Sequence, residues 1–163
     1  MHDAEEPREL DAAELEVWAD FATLLERLPG ALDAQLQRDS GLSHFEHGIL
    51  TALDRAPGRS LRMSTLAGYA SSTPSRLSRA MSRLEAKGWV RRSPDPDDGR
   101  SIRGELTEAG REMVAGSTPG HHALVRRLVF DSLTAAQLRQ LSTISRRIST
   151  AVDPAPAWRP AAR

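Results

Sequence analysis

The sequence predicts a mainly α protein with a small β-hairpin wing, a winged helix-turn-helix flanked by N- and C-terminal dimerisation helices. Three observations lead there. Residues 61–107 read as one device, a short entry strand, two helices and a charged hairpin. On both sides of it apolar residues recur every three or four positions, the period of a half-buried helix. Charge is also divided along the chain although the formal net charge is zero. Residues 1–61 hold thirteen acids and five bases, residues 62–103 nine bases and four acids, and residues 104–163 eight bases and five acids.

The elements follow in order. Leu15, Trp18, Ala22, Leu25, Leu28, Leu32 and Leu36 stripe one long helix over 11–38, which Pro29-Gly30 is expected to bend. Ser43 and Glu46 spell a capping box before a helix carrying Phe45, Ile49, Leu50 and Leu53, and Ala56-Pro57-Gly58 ends it. Ser60 to Met63 is extended, and Ser64 is expected to cap a two-turn helix holding Leu66 and Ala67. Thr73-Pro74 opens the next helix, with Leu77, Ala80, Met81 and Leu84 inward and Lys87-Gly88 as its stop. Trp89–Ser93 and Ser101–Leu106 read as strands joined by a tip over 94–100. Thr107 caps a helix that Pro119-Gly120 breaks or kinks. Thr134 and Gln137 form a second capping box before a helix striped by Leu138, Leu141, Ile144 and Ile148.

A chain of 163 residues favours a single domain. We place it at 11–152, with 11–38 and 107–152 as dimerisation helices and 43–106 as the winged helix-turn-helix. The acidic residues 1–10 and the proline- and alanine-rich residues 153–163 are expected to be disordered. No apolar run approaches a membrane span, and the acidic start is not a secretory signal. The absence of cysteine excludes disulfides and thiolate metal sites. A cytoplasmic location is expected. No phosphate-binding loop, dinucleotide loop or nucleophile elbow is present, so no catalytic residue and no cofactor is assigned.

Double-stranded DNA is the partner that the charge pattern fits. The second helix of a helix-turn-helix lies in the major groove. On the helix after Thr73 the outward face carries Ser75, Arg76, Ser78, Arg79, Ser82 and Arg83. Ser72, Thr73, Ser75, Arg76 and Arg79 are placed to reach base edges, Ser78 shares their face, and Arg83 lies a turn further on, nearer the backbone. A solvated polar face is the bland alternative, and the basic hairpin that follows weighs against it. In that hairpin Asp98 is expected to accept a hydrogen bond from the Arg100 guanidinium and hold it extended for the minor groove. Ser101 follows at the tip, and Arg91, Arg92 and Arg103 on the stem face phosphates. Arg62 and Ser64, at the start of the first helix of the motif, are expected to clamp phosphate.

At these residues the chain resembles the MarR-type (multiple-antibiotic-resistance regulator) family of transcriptional regulators. The resemblance rests on Leu66-Ala67, Ser75-Arg76-Leu77-Ser78-Arg79, Arg83-Leu84-Glu85-Ala86-Lys87-Gly88 and Trp89-Val90-Arg91-Arg92. It continues through Asp95-Pro96-Asp97-Asp98-Gly99-Arg100-Ser101 and Leu106-Thr107-Glu108-Ala109-Gly110, and covers roughly residues 12–151. It implies an obligate homodimer on a pseudo-palindromic operator, released or remodelled by a small phenolic or anionic effector. Relatives commonly carry another basic residue where Gly99 stands, which makes this wing less basic. The apolar stripes of 15–36 and 124–148 support the dimer independently, since they exceed what one small winged-helix domain can cover.

An effector pocket in such a protein is expected between the first helices and the DNA-reading lobe, lined by Trp18, His44, Phe45 and His47, with plain core packing as the alternative. His44 and His47, three apart on a helix, could share a metal in a metal-responsive regulator. A surface or pocket-lining role is the commoner one for such histidines, and no metal is assigned. An effector-independent architectural DNA binder is the other alternative.

Overall fold

Local signals in the chain set most helix boundaries in the computed structural model, which describes residues 8–154. The described residues form two compact units, one ending at Ala31 and the other beginning at Leu32. The expected disordered segments fall largely outside the described residues; residues 8–10 and 153–154 carry no regular structure.

Helix α1 (Ala12–Ser40) contains Pro29 without interruption. In the unit ending at Ala31 its residues Leu15, Trp18 and Leu25 are exposed, and the rings of Trp18 and Phe21 lie 6.3 Å apart. In the unit beginning at Leu32, the final turns of α1 bury Leu32, Gln35 and Leu36.

Helix α2 (His44–Arg55) starts at the expected capping box. The Ser43 hydroxyl accepts from the Glu46 N–H at 3.1 Å, and the Ser43 N–H donates to Glu46 Oε2 at 3.0 Å. After a tight 3-10 turn at Pro57–Arg59, β1 (Ser60–Arg62) leads into α3 (Met63–Tyr69). Here the expected cap is displaced. The N-cap is Arg62, whose side chain makes no capping bond, and Ser64 sits inside the first turn. The reason lies in β1: Arg62 is paired with Arg103 as a strand residue, so the helix begins immediately after it.

Helix α4 (Pro74–Ala86) begins as expected, with Thr73 accepting from the Arg76 N–H and Pro74 in the first turn. Its buried face is Leu77, Ala80, Met81 and Leu84. Gly88, at φ 74°, turns the chain in a conformation that side chains disfavour. Strands β2 (Val90–Asp95) and β3 (Asp98–Leu106) form the wing, and the antiparallel sheet runs β1-β3-β2. Both strands reach further than expected. Pro94 pairs with Ile102 and, past an irregularity, Asp95 with Asp98, which leaves only Pro96-Asp97 as the tip.

Helix α5 (Glu108–Val125) is capped by the Thr107 hydroxyl and runs through Pro119, where a break was expected. The Ser117 hydroxyl donates to the Met113 carbonyl at 2.8 Å and the Thr118 hydroxyl to the Val114 carbonyl at 2.6 Å. These side-chain donors serve the carbonyl row beside the N–H that proline lacks. A π turn at Arg126–Phe130 follows, then α6 (Ala135–Val152), which begins at the second capping box. The core joins Ile49, Leu50 and Leu53 of α2 to Leu66, Leu77, Met81, Leu84, Val90, Leu106 and Val114. It therefore seats α4 and the wing on α2 and α5.

One junction fixes the base of the wing. The Trp89 carbonyl accepts from the Thr107 N–H at 3.0 Å, and the Thr107 hydroxyl donates to the Gly88 carbonyl at 2.6 Å. Gly110 lies against that same Trp89 carbonyl and Leu106, with no room for a Cβ.

Candidate nucleic-acid interface

The burial of one face of α4 leaves Ser75, Arg76, Ser78, Arg79, Ser82 and Arg83 exposed on the other. Thr73 at the N-cap is exposed and Ser72 half-buried, with the Thr73 and Ser75 hydroxyls 3.2 Å apart. The guanidinium of Arg76 lies 4.3 Å over the ring of Phe45, a cation–π contact that holds it at the start of α4. Arg79 has no hydrogen-bond or ion-pair partner among the described residues. Arg83 donates from Nε to Glu46 Oε1 at 2.8 Å. Burial pushes the Glu46 carboxyl up, but the hydrogen bonds from Ser43 and Arg83 outweigh it and hold it below the usual glutamate range.

The wing arginines are tied to acids on neighbouring elements. Arg91 bonds Glu105 at 2.6 Å. Arg92 grips Glu85 through Nε and Nη2 at 3.1 and 2.7 Å and reaches the Ser82 hydroxyl at 3.1 Å. The bonds from Arg92 hold Glu85 below the usual range, and those from Ser93 and then Arg91 do the same for Glu105. Asp95, whose side chain is fully buried, anchors the wing base. Its carboxylate accepts from the Asp97 N–H at 2.9 Å, from Arg62 Nε at 2.7 Å and from Arg103 Nη1 at 3.4 Å. Those contacts, led by the Asp97 N–H, keep its pKa low, and Arg62 is raised in return. Arg103 is further fixed by the Ser60 hydroxyl and carbonyl at 2.8 and 3.0 Å. Arg62 and Arg103 thus brace the wing against β1. In the sequence Asp95 stands out only as part of the turn-rich stretch that carries the family resemblance, and nothing there marks it as the partner of Arg62 and Arg103.

The tip differs from expectation in one bond. Asp98 accepts from the Arg100 backbone N–H at 3.2 Å and from the Ser101 hydroxyl at 2.8 Å. The Arg100 guanidinium stands 3.9 Å away as an ion pair, without a hydrogen bond, and its side chain is 99% exposed. The carboxylate oxygens take the Arg100 N–H and the Ser101 hydroxyl, which closes the turn at the start of β3, and the guanidinium stays beyond hydrogen-bond reach.

Of the four residues expected to line a pocket, Trp18 lies in the unit ending at Ala31 and three lie at the start of α2. His44 and His47 meet His121 of α5, with ring centroids 5.5 and 4.7 Å apart. Phe45 faces α4 beneath Arg76 instead. Burial lowers all three histidines. His47 falls to about 4, helped by His121, His44 and His122; at His44 the charge of Asp33 works against burial. Among the described residues no group of three or more His, Asp or Glu side chains is arranged to hold a metal, and no helix is long and apolar enough to cross a membrane. A groove of about 560 Å³ between α2 and α5 is lined by Thr51, Arg55, Arg59, Arg111, Thr118 and His122. Glu108 already pairs with Arg59 at 3.3 Å and with Arg111 at its rim.

Comparison with known proteins places this geometry. The MarR family's sequence model matches residues 40–101. The crystal structure of Sco3205, a MarR family transcriptional regulator from Streptomyces coelicolor in complex with DNA, is 43% identical, with a TM-score of 0.90 over 98% of this chain and 99% of that one. AbsC, a MarR family transcriptional regulator from the same organism, is 31% identical, with a TM-score of 0.86 over 91% of this chain and 100% of that one. The transcriptional repressor MprA of Escherichia coli (strain K12) is 27% identical over 130 residues, 80% of this chain and 70% of that protein.

Proposed function

The chain belongs to the MarR family of transcriptional regulators, and from that premise we propose that it is a cytoplasmic, homodimeric, sequence-specific DNA-binding repressor. A small aromatic or anionic effector modulates its hold on a pseudo-palindromic operator. The observation that carries this reading is the outward face of α4. Arg76 is held over Phe45 and Arg79 lacks any partner among the described residues, so two guanidinium groups are exposed on the element that enters the major groove.

In this reading Arg76 and Arg79 donate to guanine O6 and N7, while Ser72, Thr73, Ser75 and Ser78 allow close approach. Arg100 enters the minor groove, with Asp98 and Ser101 shaping the tip. Arg83, Arg91 and Arg92 exchange carboxylate for phosphate partners. Arg62 and Arg103 act from behind by bracing the wing, and Ser64 lies at phosphate level in the first turn of α3.

The dimer is supported by apolar surface that the described residues leave uncovered: Leu141, Ile144 and Ile148 on α6, and Leu128 and Phe130 in the π turn, are exposed. A twofold pair would set two reading helices about 34 Å apart, one DNA turn. An effector at His44, Phe45 and His47 would act on Arg76 through Phe45. Linkage then requires operator DNA to weaken effector binding by the same factor.

Selection from a random duplex library followed by footprinting tests the reading. A palindromic consensus is expected, and Arg76→Ala or Arg79→Ala should cost about 1–3 kcal/mol and relax preference at single positions. Equal affinity for selected and random duplexes would overturn sequence-specific binding and favour an architectural role.

A further inference from the structure

Five buried side-chain polar atoms lack a hydrogen-bond partner among the described residues: Gln35 Oε1, His44 Nδ1, His47 Nε2, Thr51 Oγ1 and His121 Nδ1. Three of them belong to imidazoles in mutual contact, His121 facing His47 and His44 at 4.7 and 5.5 Å. Folded proteins satisfy nearly all such groups, so three orphaned nitrogens in one place call for a physical role. Neutral imidazole keeps one nitrogen ready to take a proton.

The first turn of α2 gives that chemistry an output. His44 and His47 face α5, while the two residues between them face the reading helix. Phe45 carries the Arg76 guanidinium at 4.3 Å, and Glu46 holds Arg83 at 2.8 Å. One turn of helix therefore touches the imidazole cluster and two arginines of the DNA-facing surface together.

We propose that the His44–His47–His121 cluster is a proton sensor for the reading helix, in which acid drives α2 and α5 apart at these rings, shifts the first turn of α2 and withdraws the positioning of Arg76 and Arg83. The DNA consequence rests on the function proposed above; the opening itself does not.

The charges facing the cluster agree with this. From α1, Asp33 accepts the His44 backbone N–H at 2.8 Å and favours charge on His44, while Gln35 and Asp39, joined at 2.7 Å, lie beside Gly120 of α5. From α5, His122 adds a further imidazole. From α4, Arg76 and Arg83 lie across α2, and Glu46 answers only Arg83. Among the described residues the charges acting on His47 are those of imidazoles, His121, His44 and His122. A second proton therefore enters against both burial and a like charge. A base held near 4 when enclosed and returning to 6.5 when released stabilises the closed form fully above 6.5, and that stability is lost as pH falls toward 4. For His47 alone, opening is favoured about twentyfold more at pH 5 than at pH 7.

The test uses the full chain, dialysed against a chelator, in two arms. In the first, hydrogen exchange over 44–50, corrected for intrinsic rate, is followed from pH 7.5 to 5. Wild type should lose at least tenfold in protection, and His47→Gln/His121→Gln less than threefold. In the second, affinity for a duplex selected at pH 7.5 is measured over the same range, and should fall at least tenfold in wild type against less than threefold in the variant. If the variant does not fold, imidazole Cε1–H titration of wild type decides: a His47 titrating near 6.5 with protection intact overturns the sensor. So does equal loss in the variant, and so does a pH response that appears only with added Zn²⁺, which would make the cluster a metal site. Failure to bind any duplex at pH 7.5 would sink the DNA reading alone, since the exchange arm needs no DNA.

Discussion

Replacing Glu46 with alanine should damage two features at once, and the structure allows them to be separated. The Glu46 side chain is 7% exposed, closes the capping box of α2 and holds Arg83, whose own side chain is 59% exposed. Loss of the cap costs about 1 kcal/mol. A charge-assisted bond is worth about 1.5–3 kcal/mol, and the exposure of Arg83 places this one at or below the low end. The sum is about 1.5–2.5 kcal/mol, a fall in Tm of roughly 3–10 °C for a chain of this length. Thermal and denaturant unfolding at fixed protein concentration measure it. Ser43→Ala should reproduce only the cap, near 1 kcal/mol. A double-mutant cycle of Glu46→Ala with Arg83→Ala should return about 0.5–1 kcal/mol of coupling. The sign with pH follows from the lowered Glu46 pKa: its contribution is complete above the ordinary glutamate value and fades as pH falls through the folded-state value, so wild type and Glu46→Gln should converge in acid. A coupling of zero, with Glu46→Ala no worse than Ser43→Ala, would refute the pairing and leave Glu46 a cap alone.

Three other outcomes are expected. Gly110→Ala would drive a methyl group into the Trp89 carbonyl and Leu106, so denaturant unfolding should show a loss of at least about 2 kcal/mol, near the upper range for overpacking because a backbone atom must move. Arg100→Ala should weaken DNA binding and lower the slope of log affinity against log salt by about 1, read by anisotropy at several salt concentrations. Ile144→Asp, on the exposed stripe of α6, should convert the proposed dimer to monomer in light scattering while the helices of the core keep their circular-dichroism signal.

The sequence carried the element order because short-range signals control it. Ser43/Glu46, Thr73-Pro74, Thr107 and Thr134/Gln137 each fix a helix start through bonds spanning three residues, and each is found where the local pattern puts it. The outward arginines of α4 were legible for the same reason, since the spacing of Leu77, Ala80, Met81 and Leu84 fixes the opposite face. Partners distant in sequence were not legible. Asp95 meets Arg62 across 33 positions and Glu46 meets Arg83 across 37, and no periodicity encodes such pairs. His121 joins His44 and His47 only because α5 packs on α2. Pro119 was misleading because its local rule, a missing N–H and a ring against the preceding turn, is outweighed by the helix around it, which runs from Glu108 to Val125.

A single lysine sits just past the end of α4. Lys87 spreads its ammonium 4.6 Å over the Trp89 ring and 3.3 Å from the Gly41 carbonyl, and the chain has no cysteine. Amine-directed chemistry on the native chain therefore has one side chain to find, apart from the terminal amino group. A dye or spin label attached there without mutagenesis would sit at the seam of reading helix and wing, beside an indole able to quench it, and would turn relative movement of those two parts into an optical signal.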